Sequence, residues 1–371
     1  MKRRVYMQEE KKAWLILQDG TEYEGQSIGA SGTTTGELVF TTGAVGCQEA
    51  ITSPSFCGQI IVQTFPLAGN YGVNDEVNEA ASATAAGYVV RECCDAPSNF
   101  RSKGTLSEFL KSQNIIGIQG IDTRALTIHL RENSNLNGCI TTIKHESIKT
   151  TDLAVIAAHR QVKPIEKVSC HAVEAVEGNN GKYDVTLYDL GCDKSVISCL
   201  QSAGCNITKL PYNTPLVKAL ESKPDGIVFA GGPESFNEYE AVAENIKSVL
   251  SAKIPLLGLG SGHHVMALAA GGKLSRLAQP HRGANQAVHD DVLQKTFVTS
   301  QNHALAVDED SLSSDIATVF CRNVNDKSCE GIVYKTAPAF SIQFSPECFT
   351  ATANTHYYID KFVAMMNEGV K

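Results

Sequence analysis

The feature that most constrains the fold is a regular alternation of strand-like and helix-like segments from Tyr183 onward. Apolar runs such as "YDVTLYDLG" and "DGIVFAGG" are each followed within a few residues by helical spacing of apolar residues, as in "EYEAVAENIKSVLSA". Short loops between strands and helices predict a parallel sheet covered by helices on both faces. Sites in such sheets lie at the carboxyl ends of the strands. Further strands are predicted at "TFVTSQNHA", "IATVFC", "GIVYKT" and "AFSIQF", before a closing helix at "THYYIDKFVAMMNEG".

The first part of the chain has a different pattern and predicts an α+β domain over residues 1–150. Two strands are predicted to join at Asp19-Gly20, a common hairpin turn pair. Helical spacing marks "GTLSEFLKSQN" and "DTRALTIHLREN", the second capped by Asp122 or Thr123. Residues 151–182 contain one short helical pattern and the loop "EGNNGK". They are interpreted as a linker to a second domain over residues 183–371.

Composition excludes several classes of function. A net charge of -8 over 371 residues argues against a nucleic-acid backbone or an anionic membrane as the main partner. No run approaches the ~20 apolar residues of a membrane span, and the basic start lacks the apolar core of a secretory signal. The 12 cysteines are irregularly spaced without a C-x-x-C pair. We therefore expect a cytoplasmic protein with reduced, mostly buried thiols and no metal site.

The stretch "LLGLGSGHHVMALAAGG", residues 256–272, lies where a predicted strand enters a helix. Its glycines form G-x-G-x-G, whereas a dinucleotide fingerprint is G-x-G-x-x-G with an acid about 20 residues later. Position 280 is Pro, and the chain contains no phosphate-binding P-loop motif. A nucleophile elbow fits better, because its strained tip needs small neighbours. The alternative is a glycine-rich turn that leads into a core helix and has no role in catalysis.

Several segments together resemble one family. "IPLLGLGSGHHVMALAAGGK" resembles the Ile-Pro-x-x-Gly-Ile-Cys-x-Gly-His-Gln segment of class I glutamine amidotransferases. "DGTEYEGQSIGASGTTTGELVF", "FPLAGNYGVN" and "GIDTRALTIHLRE" resemble the N-terminal domain of carbamoyl-phosphate synthetase small chains, and "HRGANQAV" and "SQNHALAVDED" resemble their C-terminal domain. The resemblance covers almost the whole chain. It implies an α/β protein with a small-chain α+β domain followed by an amidotransferase domain whose helix-covered sheet is mostly parallel.

The resemblance also implies a reaction and a partner. Small chains of this family hydrolyse glutamine with a Cys-His-Glu triad and pass ammonia to a large chain that uses ATP. It implies no cofactor in this chain, because ATP and Mg²⁺ belong to the large chain. The implied partners are that large chain and L-glutamine or another small amide.

The family's functional positions are only partly retained. The nucleophile position is Gly260, the base position is Ser345, and the orienting acid is retained as Glu347. Among positions that contact glutamine in the family, some match and some depart: Ser55, Gly232 and Asn302 match, whereas Glu234, Ser261, His264, Ala304 and Leu305 differ.

The departures predict loss of glutamine hydrolysis. Gly260 has no side chain to form an acyl-enzyme, and the Ser345 hydroxyl is a poor base near neutral pH. A Glu234 carboxylate is expected beside the developing oxyanion, where it is repulsive. The prediction is an inactive small-chain homologue that docks on or stabilises a large chain.

Two other functions stay open from the sequence. One is glutamine hydrolysis with displaced chemistry around Ser261, His264 or Cys348, although the Ser261 hydroxyl is expected to point away from the pocket and Cys348 away from the Glu347 side. The other is a small-molecule sensor that uses Glu234 and His264 as polar contacts. Four more candidate replacement groups are interpreted as ordinary packing or surface residues: His263, His281, His289 and His303.

Overall fold

A computed structural model describes residues 11–133, 136–143, 150–176, 181–346 and 353–369. The chain divides into two compact units between Val162 and Lys163, inside the segment interpreted as a linker. Each unit is described by itself.

The N-terminal unit is built around a closed barrel of strands in the order β1-β2-β8-β6-β4-β3-β9. The strands of this unit are β1 (Lys12–Leu17), β2 (Glu22–Ser27), β3 (Thr33–Thr41), β4 (Ile60–Gln63), β5 (Leu67–Ala68), β6 (Gly87–Val89), β7 (Glu92–Cys93), β8 (Ile116–Gln119) and β9 (Asn137–Thr141). Its helices are α1 (Cys47–Thr52), α2 (Leu106–Ser112), α3 (Thr123–Glu132) and α4 (Thr150–Ala158). Pairing of β1 with both β2 and β9 closes the barrel, which leaves no free strand edge there.

Local signals in this unit have the predicted effects. The Asp19-Gly20 hairpin is confirmed: Gly20 has a φ of 90° and its N–H donates to the Leu17 carbonyl. Asp122 is confirmed as the cap of α3, since its carboxylate accepts the Ala125 N–H at 3.0 Å.

The C-terminal unit contains one ten-stranded sheet in the order β10-β12-β11-β13-β14-β19-β18-β16-β15-β17. Its strands are β10 (Glu174–Val176), β11 (Tyr183–Asp189), β12 (Cys205–Pro211), β13 (Gly226–Ala230), β14 (Leu256–Leu259), β15 (Lys273–Asp290), β16 (Lys295–Asp308), β17 (Ala317–Asn323), β18 (Cys329–Tyr334) and β19 (Ala339–Ile342). Its helices are α5 (Pro164–Val168), α6 (Lys194–Ser202), α7 (Leu216–Leu220), α8 (Phe236–Ile246), α9 (Ser261–Ala269) and α10 (Tyr357–Gly369).

The predicted helix-covered parallel sheet is confirmed for β12, β11, β13, β14 and β19. Adjacent residues on these strands enter different cores: Tyr188 and Phe229 pack on one face, and Leu187 and Val228 on the other. Beyond β19 the sheet continues with antiparallel pairs, including the long β15–β16 ribbon.

The cysteines largely follow the sequence expectation. Ten cysteines of the described part of the chain are free, and all of these except Cys94 are buried. Burial raises the pKa of the Cys93 and Cys205 thiols to about 12, so both stay protonated. Cys199 is disulfide-bonded. The expectation of reduced thiols is wrong at that residue, because spacing along the chain does not reveal which thiols the fold brings together.

Among the described residues, none of the helices combines the length and apolarity needed to cross a bilayer.

Candidate functional site

The turn between β14 and α9 has the geometry of an elbow with Gly260 at its apex. Gly260 has φ 56° and ψ −116°, a conformation that favours glycine. Its N–H donates to the Ile342 carbonyl at 3.0 Å, which ties the apex to the neighbouring parallel strand β19. The apex therefore lies at the carboxyl edge of the sheet, where sites form in such folds.

The three glycines of this stretch have different roles. A Cβ at Gly258 would lie 2.7 Å from the Met266 sulfur, and one at Gly262 would lie 1.9 Å from the Phe229 carbonyl oxygen. At Gly260 the nearest atom to an added Cβ is the Gln343 carbonyl oxygen, 3.9 Å away. Close packing requires glycine at 258 and 262, whereas the apex has room for a side chain and carries none.

Ser345, which the resemblance places at the base position, lies beside this turn along the same edge of the sheet. Ser345 follows β19, the parallel neighbour of β14, and is partly exposed. The nearby Gln343 side chain is buried, and its Oε1 has no hydrogen-bond partner among the described residues. Glu347 and Cys348, also named from the sequence, lie outside the described residues.

Glu234 contacts β16 from the loop that follows β13. One of its carboxylate oxygens accepts the backbone N–H groups of Ala304 at 2.8 Å and Leu305 at 2.7 Å. The β15–β16 ladder is irregular between its Arg276–Leu305 and His281–His303 pairs, next to these two N–H groups. The carboxylate thus has hydrogen-bonding partners in the folded chain, which the sequence did not reveal.

The Ser261 hydroxyl holds the start of α9 against the same loop. It donates to the Gly232 carbonyl at 2.9 Å and lies 2.7 Å from the Tyr239 hydroxyl. Gly232 has a φ of 99°, and a Cβ there would lie 1.8 Å from the Leu190 carbonyl oxygen. A buried hydroxyl engaged in this way positions the loop, and within the described ranges its partners are Gly232, Pro233 and Tyr239, not a histidine base.

Two adjacent histidines on α9 are fully buried. His263 Nδ1 lies 2.8 Å from the Ser341 hydroxyl, and its Nε2 lies 4.0 Å from the Cys329 sulfur. Sequence reasoning missed this Cys–His contact. Burial lowers the pKa of His263 and raises that of Cys329, so the pair is neutral and lacks the thiolate that a nucleophile needs.

His264 lies against β16. Its Nε2 is 3.2 Å from the Leu305 carbonyl oxygen, while its Nδ1 is buried and has no partner among the described residues. Burial lowers the pKa of His264 to about 4, so the ring is neutral at physiological pH.

The remaining predicted positions are dispersed. The Asn302 side-chain oxygen accepts a hydrogen bond from Arg282, and half-buried His289 lies 3.1 Å from the Thr296 hydroxyl. Ser55 belongs to the N-terminal unit, in a turn where its N–H donates to the Ser53 hydroxyl at 3.3 Å. Within the C-terminal unit, one hydrogen bond joins Ser261 to Gly232, and others join Glu234 and His264 to the Ala304–Leu305 segment of β16.

Comparisons with known proteins agree with this architecture. Residues 15–140 match the family model described as "Carbamoyl-phosphate synthase small chain, CPSase domain", and residues 186–365 match "Glutamine amidotransferase class-I". The chain belongs to the carbamoyl-phosphate synthase small chain family.

Relatives of this family match over nearly their full length. The chain is 38% identical to a carbamoyl phosphate synthase small chain of Fusobacterium nucleatum, covering 96% of this chain and 99% of the relative. It is 39% identical to the one of Caldanaerobacter subterraneus (95% and 96% covered) and 36% identical to that of Methanopyrus kandleri (96% and 99%). A solved structure described as a GMP synthase subunit from Thermoplasma acidophilum aligns at TM-score 0.43 and 20% identity, over 50% of this chain and 94% of that one, a likeness too weak to support an argument.

Proposed function

We propose that this member of the carbamoyl-phosphate synthase small chain family does not hydrolyse glutamine and serves as a docking or stabilising subunit for a large synthase chain. The observation that carries the proposal is the elbow apex at Gly260, which has space for a side chain and none to fill it. A thioester intermediate needs a sulfur on a Cβ at the attacking position. A turn of this shape without that atom cannot start the reaction.

The groups around the apex do not replace the missing chemistry. Ser345 has a hydroxyl where the family resemblance places an imidazole, and a hydroxyl does not shuttle protons near neutral pH. His264, with its pKa of about 4, is a weak base at that pH. The Ser261 hydroxyl donates to the Gly232 carbonyl and lacks a base to activate it.

Glu234 supports the same proposal through substrate binding. Ala304 and Leu305 stand at positions that the resemblance assigns to glutamine contact, and their N–H groups are already taken by the Glu234 carboxylate. A ligand carboxylate or carbonyl that needed these donors would have to displace a charge-assisted hydrogen bond. The carboxylate also adds negative charge near the elbow, which disfavours an oxyanion.

The docking role is supported by what the chain retains. Its N-terminal unit folds as a complete barrel and matches the small-chain family model over residues 15–140. Relatives named small chains align over almost their whole length. A large chain supplied with free ammonia does not need glutamine hydrolysis, so an inactive small chain is compatible with carbamoyl phosphate synthesis.

The test is co-expression with a synthase large chain followed by affinity purification. We expect a complex that makes carbamoyl phosphate from ammonium ions and not from glutamine. A small chain that retains Cys at the apex serves as the matched control and should support both reactions. Failure to form a complex would contradict the docking role, and glutamine-supported synthesis would contradict the loss of hydrolysis.

A further inference from the structure

Three strands of the C-terminal unit bring together a buried cluster that sequence reasoning did not foresee. His281 on β15, His303 on β16 and Glu330 on β18 each offer one donor atom, and these atoms all lie within 4.8 Å of one another. Glu330 Oε1 is 3.0 Å from His281 Nδ1 and 3.9 Å from His303 Nε2. The three residues are 6%, 1% and 0% exposed. Such burial is unusual for a carboxylate unless it is paired or binds a metal.

In each imidazole, the ring nitrogen that points away from Glu330 faces a hydrogen-bond acceptor. His303 Nδ1 lies 2.7 Å from the Leu305 carbonyl oxygen, which can only accept, so Nδ1 carries the proton. His281 Nε2 lies 3.0 Å from a carboxylate oxygen of Asp326. The inward nitrogens are therefore those that face Glu330. Histidines that bind metals commonly donate their other N–H to a carboxylate or a backbone carbonyl in this way.

One close contact in the cluster joins two hydrogen-bond acceptors with no proton between them. His303 Nε2 lies 2.9 Å from the side-chain oxygen of Gln301, and with the proton on Nδ1 both atoms are acceptors. Rotating the Gln301 amide does not help, because its nitrogen donates to Glu330 Oε2 at 2.9 Å and an oxygen would then face that carboxylate.

The Gln301 side-chain oxygen also faces the inward nitrogen of His281. Gln301 Oε1 lies 3.0 Å from His281 Nδ1 and 2.9 Å from His303 Nε2, so one oxygen stands between the two imidazoles beside Glu330. A cation at the centre of these atoms would accept electrons from all of them.

We propose that His281, His303 and Glu330 bind one divalent transition metal ion, zinc by donor type, with the Gln301 side-chain oxygen as fourth ligand. Two imidazole nitrogens and two oxygens suit four-coordinate zinc, whereas Mg²⁺ and Ca²⁺ require more oxygen ligands. The Asp326 side chain is 42% exposed on the outer side of His281, which places the site close to solvent. The metal would join β15, β16 and β18, independently of both the docking role and glutamine hydrolysis.

The experiment uses the full chain, freed of metal with a chelator and titrated with Zn²⁺ by calorimetry. We expect one equivalent to bind and to raise the thermal unfolding midpoint, because a ligand that binds only the folded state stabilises it. Glu330→Gln should weaken binding by a factor of about 100 or more, since it removes a direct ligand. His289→Gln, a histidine change on the same strand outside the cluster, is the matched control and should bind like the wild type.

A second measurement on the wild type guards against misfolding of the variant. Co²⁺ should give the visible absorption of a four-coordinate ion without the intense near-ultraviolet band of cysteine ligation. Absence of stoichiometric binding, equal affinity of wild type and Glu330→Gln, or a thiolate band would each overturn the proposal.

Discussion

Two residues, Gly260 and Glu234, determine the chemistry proposed at the elbow. Gly260 keeps the backbone conformation of an elbow apex while lacking any side chain, and its added Cβ would meet nothing closer than 3.9 Å. Glu234 accepts two backbone N–H groups of β16 through one oxygen. The apex without a side chain and the occupied N–H groups are therefore separate features, and each has its own test.

Gly260→Cys tests whether the apex alone limits the chemistry. The thiol has room, although the left-handed conformation costs a non-glycine residue about 1–3 kcal/mol. We expect a folded protein whose new thiol reacts with alkylating reagents, while glutamate release stays at background because Ser345 is not a base. Mass spectrometry measures the alkylation of the thiol, and a glutamate assay measures hydrolysis. Hydrolysis by this single variant would show that Ser345 at the base position does not prevent the reaction.

Glu234→Gly tests the hydrogen bonds to β16. Without the carboxylate, the N–H groups of Ala304 and Leu305 lose their acceptor, and we expect their amide hydrogen exchange to accelerate about tenfold or more. Glu238→Gln, in the same region but bonded to the Ile165 and Glu166 N–H groups, is the control and should leave those amides unchanged. Unchanged exchange in Glu234→Gly would mean that the contact is not formed in solution.

Among the structural elements, the β14–α9 turn is tightly packed everywhere except at Gly260, where an added side chain would have room. Gly262 allows α9 to approach the Phe229 carbonyl on β13, and Gly258 on β14 makes room for the Met266 side chain of α9. The buried His263 and His264 fill the first turns of the helix. The helix start is therefore fixed by packing even though its apex has no catalytic group.

Gly262→Ala should destabilise the protein strongly. The new Cβ would lie 1.9 Å from a backbone oxygen, which cannot rotate away, and we expect a loss of about 3 kcal/mol or more in the free energy of unfolding. Gly271→Ala, at the end of the same helix with φ 86° and nothing within 4 Å of its Cβ, should lose only about 1 kcal/mol. Chemical denaturation compares the two; equal losses would contradict the packing at Gly262.

His264 should make stability depend on pH. Its pKa is about 4 when folded, below the ordinary histidine value of 6.5, so the unfolded chain binds more protons between these values and stability falls as the pH drops through that window. The full effect is about 3 kcal/mol. His264→Gln should reduce the slope of unfolding free energy against pH by about one proton between about pH 4.5 and 6, and an unchanged slope would contradict burial of a neutral ring.

The sequence predicted those elements whose apolar pattern is dictated by burial on both faces, as in β11, β13 and β14. It did not predict β15, because "KLSRLAQPHRGANQAVHD" is polar and interrupted by Pro280, and much of that strand is exposed. The contact of Glu234 with β16 and the His281–His303–Glu330 cluster were also missed. Both depend on which distant strands become neighbours, and spacing along the chain does not encode that.

For the whole molecule, the small-chain architecture is retained, while loss of glutamine hydrolysis is the proposed change. Both units match family models, and relatives align at 36–39% identity over nearly their whole length. The positions that depart from the family resemblance lie at the β14–α9 elbow and in α9, in the loop after β13, after β19 and on β16. This distribution supports the proposal that binding to a partner chain, and not hydrolysis, is the function retained.

The most direct test of the central proposal is glutamate release from glutamine by the purified chain, alone and with a large chain present. We predict release at the level of buffer in both cases, alongside robust release by a small chain with Cys at its apex. Release above buffer that disappears in Ser261→Ala would contradict the account, because it would place a working nucleophile one residue beyond the empty apex.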